Sequence, residues 1–69
     1  MLNTKAIKAQ MILKDKTASY LANKMGITPT SFYKKLREET RLSRTDIEVL
    51  IDELDIENPT AYFFNKEVS

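Results

Sequence analysis

The fold is decided by residues 17–36, TASYLANKMGITPTSFYKKL. Apolar residues recur at three- and four-residue spacing on both sides of Gly26, the only glycine in the chain, and this spacing is typical of amphipathic helices. Glycine readily takes the left-handed conformation that ends a helix. The stretch therefore predicts a helix over about 17–25, a tight turn at Gly26 and Ile27, and a second helix from about Pro29. This is the layout of a helix-turn-helix.

Local signals support both helices of the pair. Thr17 and Thr28 are suited to N-capping, and Pro29 suits a first helical position, where its missing N–H would have no intrahelical partner. Phe32 and Leu36 form an i, i+4 pair that is expected to face the core. The opposite side of the second helix is then left open to solvent.

Three further short helices are predicted in the rest of the chain. One runs over about 3–13, and a last one starts at Asn58-Pro59. Between them, a helix capped by Ser43 or Thr45 carries the clearest amphipathic pattern in the sequence, with core residues Ile47, Leu50, Ile51 and Leu54. The fold class is all-α, a compact bundle of four to five short helices in one domain, residues 1–69.

Two apolar clusters exceed what this core requires. Ile12 and Leu13 widen the apolar side of the first helix, so one of them is expected to be partly exposed or in a further contact. Near the other end, Tyr62, Phe63 and Phe64 follow one another, and one helical turn cannot direct all three inward. These three aromatics either close the open end of the core or form an interface with another chain.

Composition excludes several function classes. The 69 residues include no cysteine and no histidine, which removes thiol and imidazole nucleophiles and the usual zinc ligands. We therefore expect no enzyme activity, no cofactor and no metal. No apolar run reaches the roughly 18 residues of a membrane span, and no signal-peptide pattern opens the chain, so an intracellular protein with no membrane partner is expected.

Charge is distributed unevenly along the chain. Residues 1–44 carry ten Lys and Arg against three acidic residues, a balance of +7, whereas residues 45–69 carry one Lys against seven acidic residues, a balance of −6. Such an asymmetry indicates that the first part approaches a polyanion while the second faces away from it or meets a basic partner. Ordinary solvated helix faces in a Lys- and Glu-rich protein are the alternative.

The predicted helix pair resembles the helix-turn-helix of small phage repressor and Cro-type regulators. The residues that carry the resemblance are Thr17, Leu21-Ala22, Met25-Gly26-Ile27, Phe32 and Leu36. The later stretch RLSRTDIEVLIDELDIENPTAYFF is similar to the fourth and fifth helices of that family, so the resemblance covers nearly the whole chain. It implies a lambda-repressor-like DNA-binding fold and a transcription regulator of a lysis–lysogeny switch, in the cytoplasm of the bacterial host at its nucleoid.

The resemblance also implies a set of DNA-contacting residues. Positions matching the groove-facing part of the family's second helix would face bases: Thr28, Pro29, Thr30, Ser31, Tyr33 and Lys34. Phosphates would be bound by free N–H groups at the start of the first helix and by basic side chains: Thr17, Ala18, Lys24, Lys35, Arg37 and Arg41. One such domain covers a half-site, so a second copy or the larger phage repressor is the expected protein partner, and no small-molecule substrate is expected.

Two departures from the family pattern keep a second function open. Ala18 stands where the family commonly has a glutamine that contacts the DNA backbone, and Pro29 stands where it often has a long polar side chain. Separately, Asp15 and Lys16 take the places of the family's usual glycine and apolar residue in the first link, so this link is expected to be held less tightly. An aromatic-rich, donor-poor helix also suits a protein contact, so an antirepressor that binds only the repressor is the alternative. A DNA-binding antitoxin fits less well, because no disordered tail that would wrap a toxin is predicted.

Overall fold

Residues 2–63 fold into five α-helices. A computed structural model describes residues 2–63, and within them there is no β-strand. This confirms the all-α prediction. The helices are α1 (Thr4–Leu13), α2 (Ala18–Met25), α3 (Pro29–Leu36), α4 (Arg44–Glu53) and α5 (Pro59–Phe63).

Capping residues fix where the helices begin. Asn3, Thr17, Thr28 and Ser43 each accept a hydrogen bond from a backbone N–H in the first turn of α1, α2, α3 and α4. At α4 the cap is reciprocal, because the Asp46 carboxylate also accepts from the Ser43 N–H at 2.9 Å. The sequence left open Ser43 or Thr45 as the cap of this helix, and the structure selects Ser43.

The four longer helices end in the same hydrogen-bonded turn. After α2, Gly26 is left-handed at φ 74°, and the Ile27 N–H donates to the Ala22 carbonyl at 2.9 Å. After α1, α3 and α4 the left-handed position is held by an acidic residue: Asp15 at φ 57°, Glu38 at φ 63° and Asp55 at φ 54°. In each case the N–H of the following residue donates to the carbonyl five residues before it, at 2.9, 2.9 and 3.0 Å. The sequence predicted a left-handed residue only at Gly26.

The core lies where the helical spacing predicted it. Its largest fully buried side chains come from α1 to α4 and the turn after α4: Ile7, Leu21, Phe32, Leu36, Leu50 and Leu54. Full burial of a side chain of this kind stabilises the fold by about 1.5–3 kcal/mol. Ile12 and Leu13 differ from the prediction, since both rather than one are exposed, at 81% and 72%. They follow the last core-facing turn of α1, where no other helix of the described chain covers them.

Packing joins elements that are distant in the sequence. α2 lies against both α3 and α4, and α1 lies against α5. The Asn3 N–H donates to the Tyr62 carbonyl at 2.8 Å, and the Gln10 side-chain amide donates to the Leu54 carbonyl at 2.8 Å. Within residues 2–63, none of the helices is long and apolar enough to cross a membrane.

Candidate nucleic-acid interface

α3 is a two-sided helix. Its inner side is held by Phe32 and Leu36, which are fully buried, and Phe32 meets the Tyr33 ring edge-on at 5.9 Å. Thr28 starts the helix by accepting from the Ser31 N–H at 3.1 Å, with Pro29 in the first turn. Burial of Phe32 and Leu36 and the cap at Thr28 thus determine which side of α3 faces outward.

The outer side carries the residues that the sequence predicted to face bases. Those that are exposed are Thr28, Pro29, Thr30, Tyr33 and Lys34, while Ser31 is half-buried. The structure thus places Thr28, Pro29, Thr30 and Ser31 at the beginning of α3, followed by Tyr33 and by Lys34 in the last turn. Whether they contact DNA stays a prediction, as does the helix-turn-helix interpretation of α2 and α3.

Two of these hydroxyl groups already have a partner. The Thr28 hydroxyl donates to the Ser31 hydroxyl oxygen at 3.2 Å, in addition to accepting from the Ser31 backbone. This pairing belongs to the cap of α3. Thr30, Tyr33 and Lys34 are therefore the side chains of the outer side whose polar atoms are not engaged in the cap.

The beginning of α2 offers backbone donors rather than side chains. The Thr17 hydroxyl accepts from the Tyr20 N–H at 3.1 Å, which satisfies one of the free N–H groups of the first turn. Ala18 is buried and has no polar side-chain atom, so its side chain cannot bind an anion at this position. The positive end of the helix dipole lies at the same place.

The predicted phosphate-binding cations have different surroundings. Arg37 and Glu39 form an exposed ion pair at 2.7 Å, whose hydrogen bond and charge lower the pKa of Glu39 and raise that of Arg37. Lys24 and Arg41 are also exposed. Lys35 is not, because its Nζ lies 2.9 Å from Asp46 Oδ2 and donates to the Arg41 carbonyl at 2.9 Å. Its charge is already partnered inside the protein.

Asp46 is the one polar residue among the buried side chains of the described chain. Burial by itself would raise the pKa of Asp46, but hydrogen bonds from the Ser43 N–H and from Lys35 hold it below the ordinary value. The carboxylate therefore stays charged and ties the end of α3 to the start of α4. Helical spacing in the sequence did not indicate that Asp46 is the partner of Lys35.

The candidate protein interface near residue 62 is mostly internal. Phe63 belongs to the buried core, and Tyr62 is half-buried with its hydroxyl donating to Gln10 Oε1 at 3.4 Å. This arrangement corresponds to the alternative in which the aromatics close the core. Phe64 lies outside the described residues.

A polar cluster between α2 and α4 was not singled out from the sequence. Tyr20 donates from its hydroxyl to Glu53 Oε1 at 2.9 Å, Lys16 lies 3.5 Å from the same oxygen, and the Lys16 Nζ lies 4.5 Å from the Tyr20 ring centroid. The Tyr20 hydrogen bond, followed by the charge of Lys16, lowers the pKa of Glu53. Helical spacing alone could not reveal this cluster, since its members are distant in sequence.

Within residues 2–63, no three acidic side chains come together as a group that could bind a metal ion. Comparison with family models, with curated proteins and with solved structures gave no match to this chain.

Proposed function

We propose that this protein is a transcription regulator of the phage repressor and Cro type, which binds operator DNA by placing α3 in the major groove. The observation that carries the proposal is the outer side of α3. It is exposed, it lies opposite the buried Phe32 and Leu36, and it presents hydroxyl groups at the start of the helix with the Tyr33 ring and the Lys34 ammonium farther along. A helix that enters the major groove contacts base edges mainly with the residues of its N-terminal part.

Three side chains would read the bases. The Thr30 methyl can contact a thymine methyl, and its hydroxyl can exchange a hydrogen bond with a base edge. Lys34 can donate to the O6 and N7 acceptors of guanine, and Tyr33 can meet a base edge or the sugar-phosphate backbone. No asparagine, glutamine or arginine stands on this side of α3, so discrimination among bases would be modest for a single copy.

Phosphate contacts would supply most of the affinity. Lys24, Arg37 and Arg41 are exposed cations, and the N–H groups at the start of α2 add a dipole that favours an anion. Lys35 contributes less to this set, because the Asp46 carboxylate already neutralises it at 2.9 Å. Binding through such contacts weakens steeply as salt is added, since counterions are released from the DNA.

The setting of this activity would be the lysis–lysogeny switch of a temperate phage in the cytoplasm of its bacterial host. One α3 covers a half-site, so regulation would need a second copy or the larger repressor. The excess of basic residues in positions 1–44 is consistent with a polyanionic partner.

The second candidate function is an antirepressor that binds only the repressor protein. It is favoured by Pro29, which offers neither a side-chain donor nor an N–H, and by Tyr33, which is 44% exposed and can bury a large area in a protein contact. In this case no DNA would be bound by the isolated protein, and the repressor–operator complex would change when the protein is added.

The test begins with selection of bound duplexes from a random-sequence pool, followed by fluorescence anisotropy at two salt concentrations. We expect sequence-selective binding that weakens with salt. Lys34→Gln should weaken binding by about 1–3 kcal/mol and relax the preference for the base that Lys34 contacts. Arg44→Gln is the matched control, because Arg44 is an exposed cation on α4 outside the proposed interface. Absence of selective binding, or equal losses in the two variants, would contradict the DNA function.

A further inference from the structure

The loop between α3 and α4 carries two exposed cations, Arg37 and Arg41, that are proposed to contact phosphates. Arg37 is already paired with Glu39 at 2.7 Å. Arg41 takes part in no ion pair within residues 2–63. Of the two, Arg41 is therefore the cation that is more readily available to an anion.

The backbone that carries Arg41 is held by a single hydrogen bond. On one side of it, the Glu39 N–H donates to the Lys34 carbonyl at 2.9 Å, and on the other side Ser43 caps α4. Between these two points, the Arg41 carbonyl is the one backbone group of residues 40–42 that forms a hydrogen bond within residues 2–63. Its donor is the Lys35 ammonium, at 2.9 Å.

Side-chain packing supports this part of the loop only at Leu42. Leu42 is half-buried against the core, whereas Thr40 and Arg41 are exposed. The same three residues line a cavity of about 390 Å³ together with Ile47 and Phe63, so the loop is not closely packed against the elements behind it. The direction of the Arg41 backbone therefore depends mainly on its hydrogen bond with Lys35.

Lys35 is itself held in place by α4. Its Nζ lies 2.9 Å from Asp46 Oδ2, and Asp46 also accepts a hydrogen bond from the Ser43 N–H. An ammonium has three N–H donors, and two protein acceptors already occupy part of that capacity. Because the Lys35 side chain is also mostly covered, a phosphate has little access to it.

We propose that Lys35 is a positioning residue that acts on DNA through Arg41. By holding the Arg41 carbonyl, it fixes the backbone from which the Arg41 guanidinium reaches a phosphate. A cation on an ordered backbone contributes more to binding than one on a mobile backbone, because less conformational entropy is lost on contact. The inference rests on the proposed function, and it stands in place of the direct phosphate contact that the sequence predicted for Lys35.

A double-mutant cycle of DNA affinity tests the coupling between the two residues. Lys35→Met removes the ammonium and keeps most of the side chain, and it should weaken DNA binding by about threefold to tenfold. In a protein that already carries Arg41→Gln, Lys35→Met should cause no further loss. Lys24→Gln is the matched control, because Lys24 is an exposed cation on α2 and distant sites add independently. Equal losses from Lys35→Met in both backgrounds would overturn the proposal.

A second variant guards against loss of the fold. Lys35→Met leaves the Asp46 carboxylate without its cation, whereas Lys35→Met/Asp46→Asn is neutral and keeps a side-chain oxygen that can accept from the Ser43 N–H. Both variants should lose the same DNA affinity. The salt dependence gives a further readout, because each lost phosphate contact lowers the salt slope by about one. Arg41→Gln should lower this slope once, and a second decrease on adding Lys35→Met would show a direct phosphate contact and overturn the proposal.

A measurement without DNA separates this proposal from the proposed function. The ¹⁵N heteronuclear nuclear Overhauser effect reports backbone order on the picosecond to nanosecond timescale. For residues 40–42 it should fall in Lys35→Met/Asp46→Asn relative to the wild type, while the values in α3 stay unchanged. Equal values in the two proteins would overturn the proposal, even where the wild type binds DNA. A fall in these values with no DNA binding by the wild type would overturn the proposed function and leave the anchoring of the loop by Lys35 standing.

Discussion

Lys35 and Asp46 are joined by the least exposed ion pair of the described chain, with Nζ 2.9 Å from Oδ2 and side-chain exposures of 16% and 10%. The pair connects the last turn of α3 to the first turn of α4. It also holds the loop between them, because Lys35 donates to the Arg41 carbonyl and Asp46 accepts from the Ser43 N–H. The position of α3 therefore depends on a contact made behind its outer side.

Asp46→Ala is expected to lower the free energy of unfolding by about 2–3 kcal/mol. The substitution removes the reciprocal cap of α4 and leaves the Lys35 ammonium without its carboxylate. Urea unfolding followed by far-ultraviolet circular dichroism measures the change. Asp52→Ala, an exposed position on the same helix, serves as the control and should change stability much less. Equal losses in the two variants would show that the ion pair contributes nothing.

Stability should fall in acid through the same residue. The pKa of Asp46 in the folded protein lies below its ordinary value of about 4, so the folded state binds the proton more weakly than the unfolded state does. The contribution of Asp46 is fully present above about pH 5 and is lost as the pH falls through the folded-state pKa. Urea unfolding at a series of pH values should give a steeper acid decline for the wild type than for Asp46→Asn. Parallel acid declines in the two proteins would contradict a stabilising role of the ionised Asp46.

The acidic residues at helix ends predict stabilising substitutions. Asp15→Gly should raise the free energy of unfolding by about 0.5–1 kcal/mol, because a non-glycine residue at φ 57° is strained. Gly26→Ala should lower the free energy of unfolding by about 1 kcal/mol, because alanine is strained in the left-handed conformation. An added Cβ would meet no atom within 4 Å, so no steric clash contributes to this loss. Thermal and urea unfolding compare the three proteins. A destabilised Asp15→Gly variant would mean that the Asp15 side chain makes a contribution larger than its strain.

Glu39 should restrain DNA binding under the proposed function. Its carboxylate lies 2.7 Å from Arg37 Nε and competes with a phosphate for the same guanidinium. Glu39→Gln is therefore expected to tighten DNA binding by about twofold to fivefold at low salt, with the gain disappearing as salt screens the pair. Fluorescence anisotropy measures it, with Glu57→Gln as the exposed control. No gain at low salt would indicate that Arg37 lies away from the DNA backbone.

Local sequence signals were sufficient to predict where the helices lie, but not which residues contact one another in the folded chain. The caps Thr17, Thr28 and Ser43, together with Gly26, placed helix ends within a residue or two, because capping depends on neighbours in the chain. The ion pair of Lys35 with Asp46 and the inward direction of Phe63 depend on tertiary packing, which spacing does not encode. The left-handed Asp15, Glu38 and Asp55 were missed because acidic residues are not the usual residue type at that position.

The outer side of α3 was likewise predicted only in part from the sequence. Spacing alone predicted that its outer side is open, whereas the availability of each group could only be learned from the structure. Thr28 and Ser31 are engaged with each other, and Lys35 is engaged with Asp46. These internal bonds reduce the set of free side chains on α3 to fewer residues than the sequence suggested.

The hydrogen bond from Asn3 to Tyr62 gives the chain an order of folding. α2 and α3 are adjacent in sequence, so their packing closes only a short loop, whereas joining α1 to α5 closes nearly the whole described chain and costs more entropy. We therefore expect the α2–α3 pair to form early, and the α1–α5 contact to form last and to open first. In amide hydrogen exchange, the N–H of Asn3 would then exchange by local opening well before the buried backbone of α2 does.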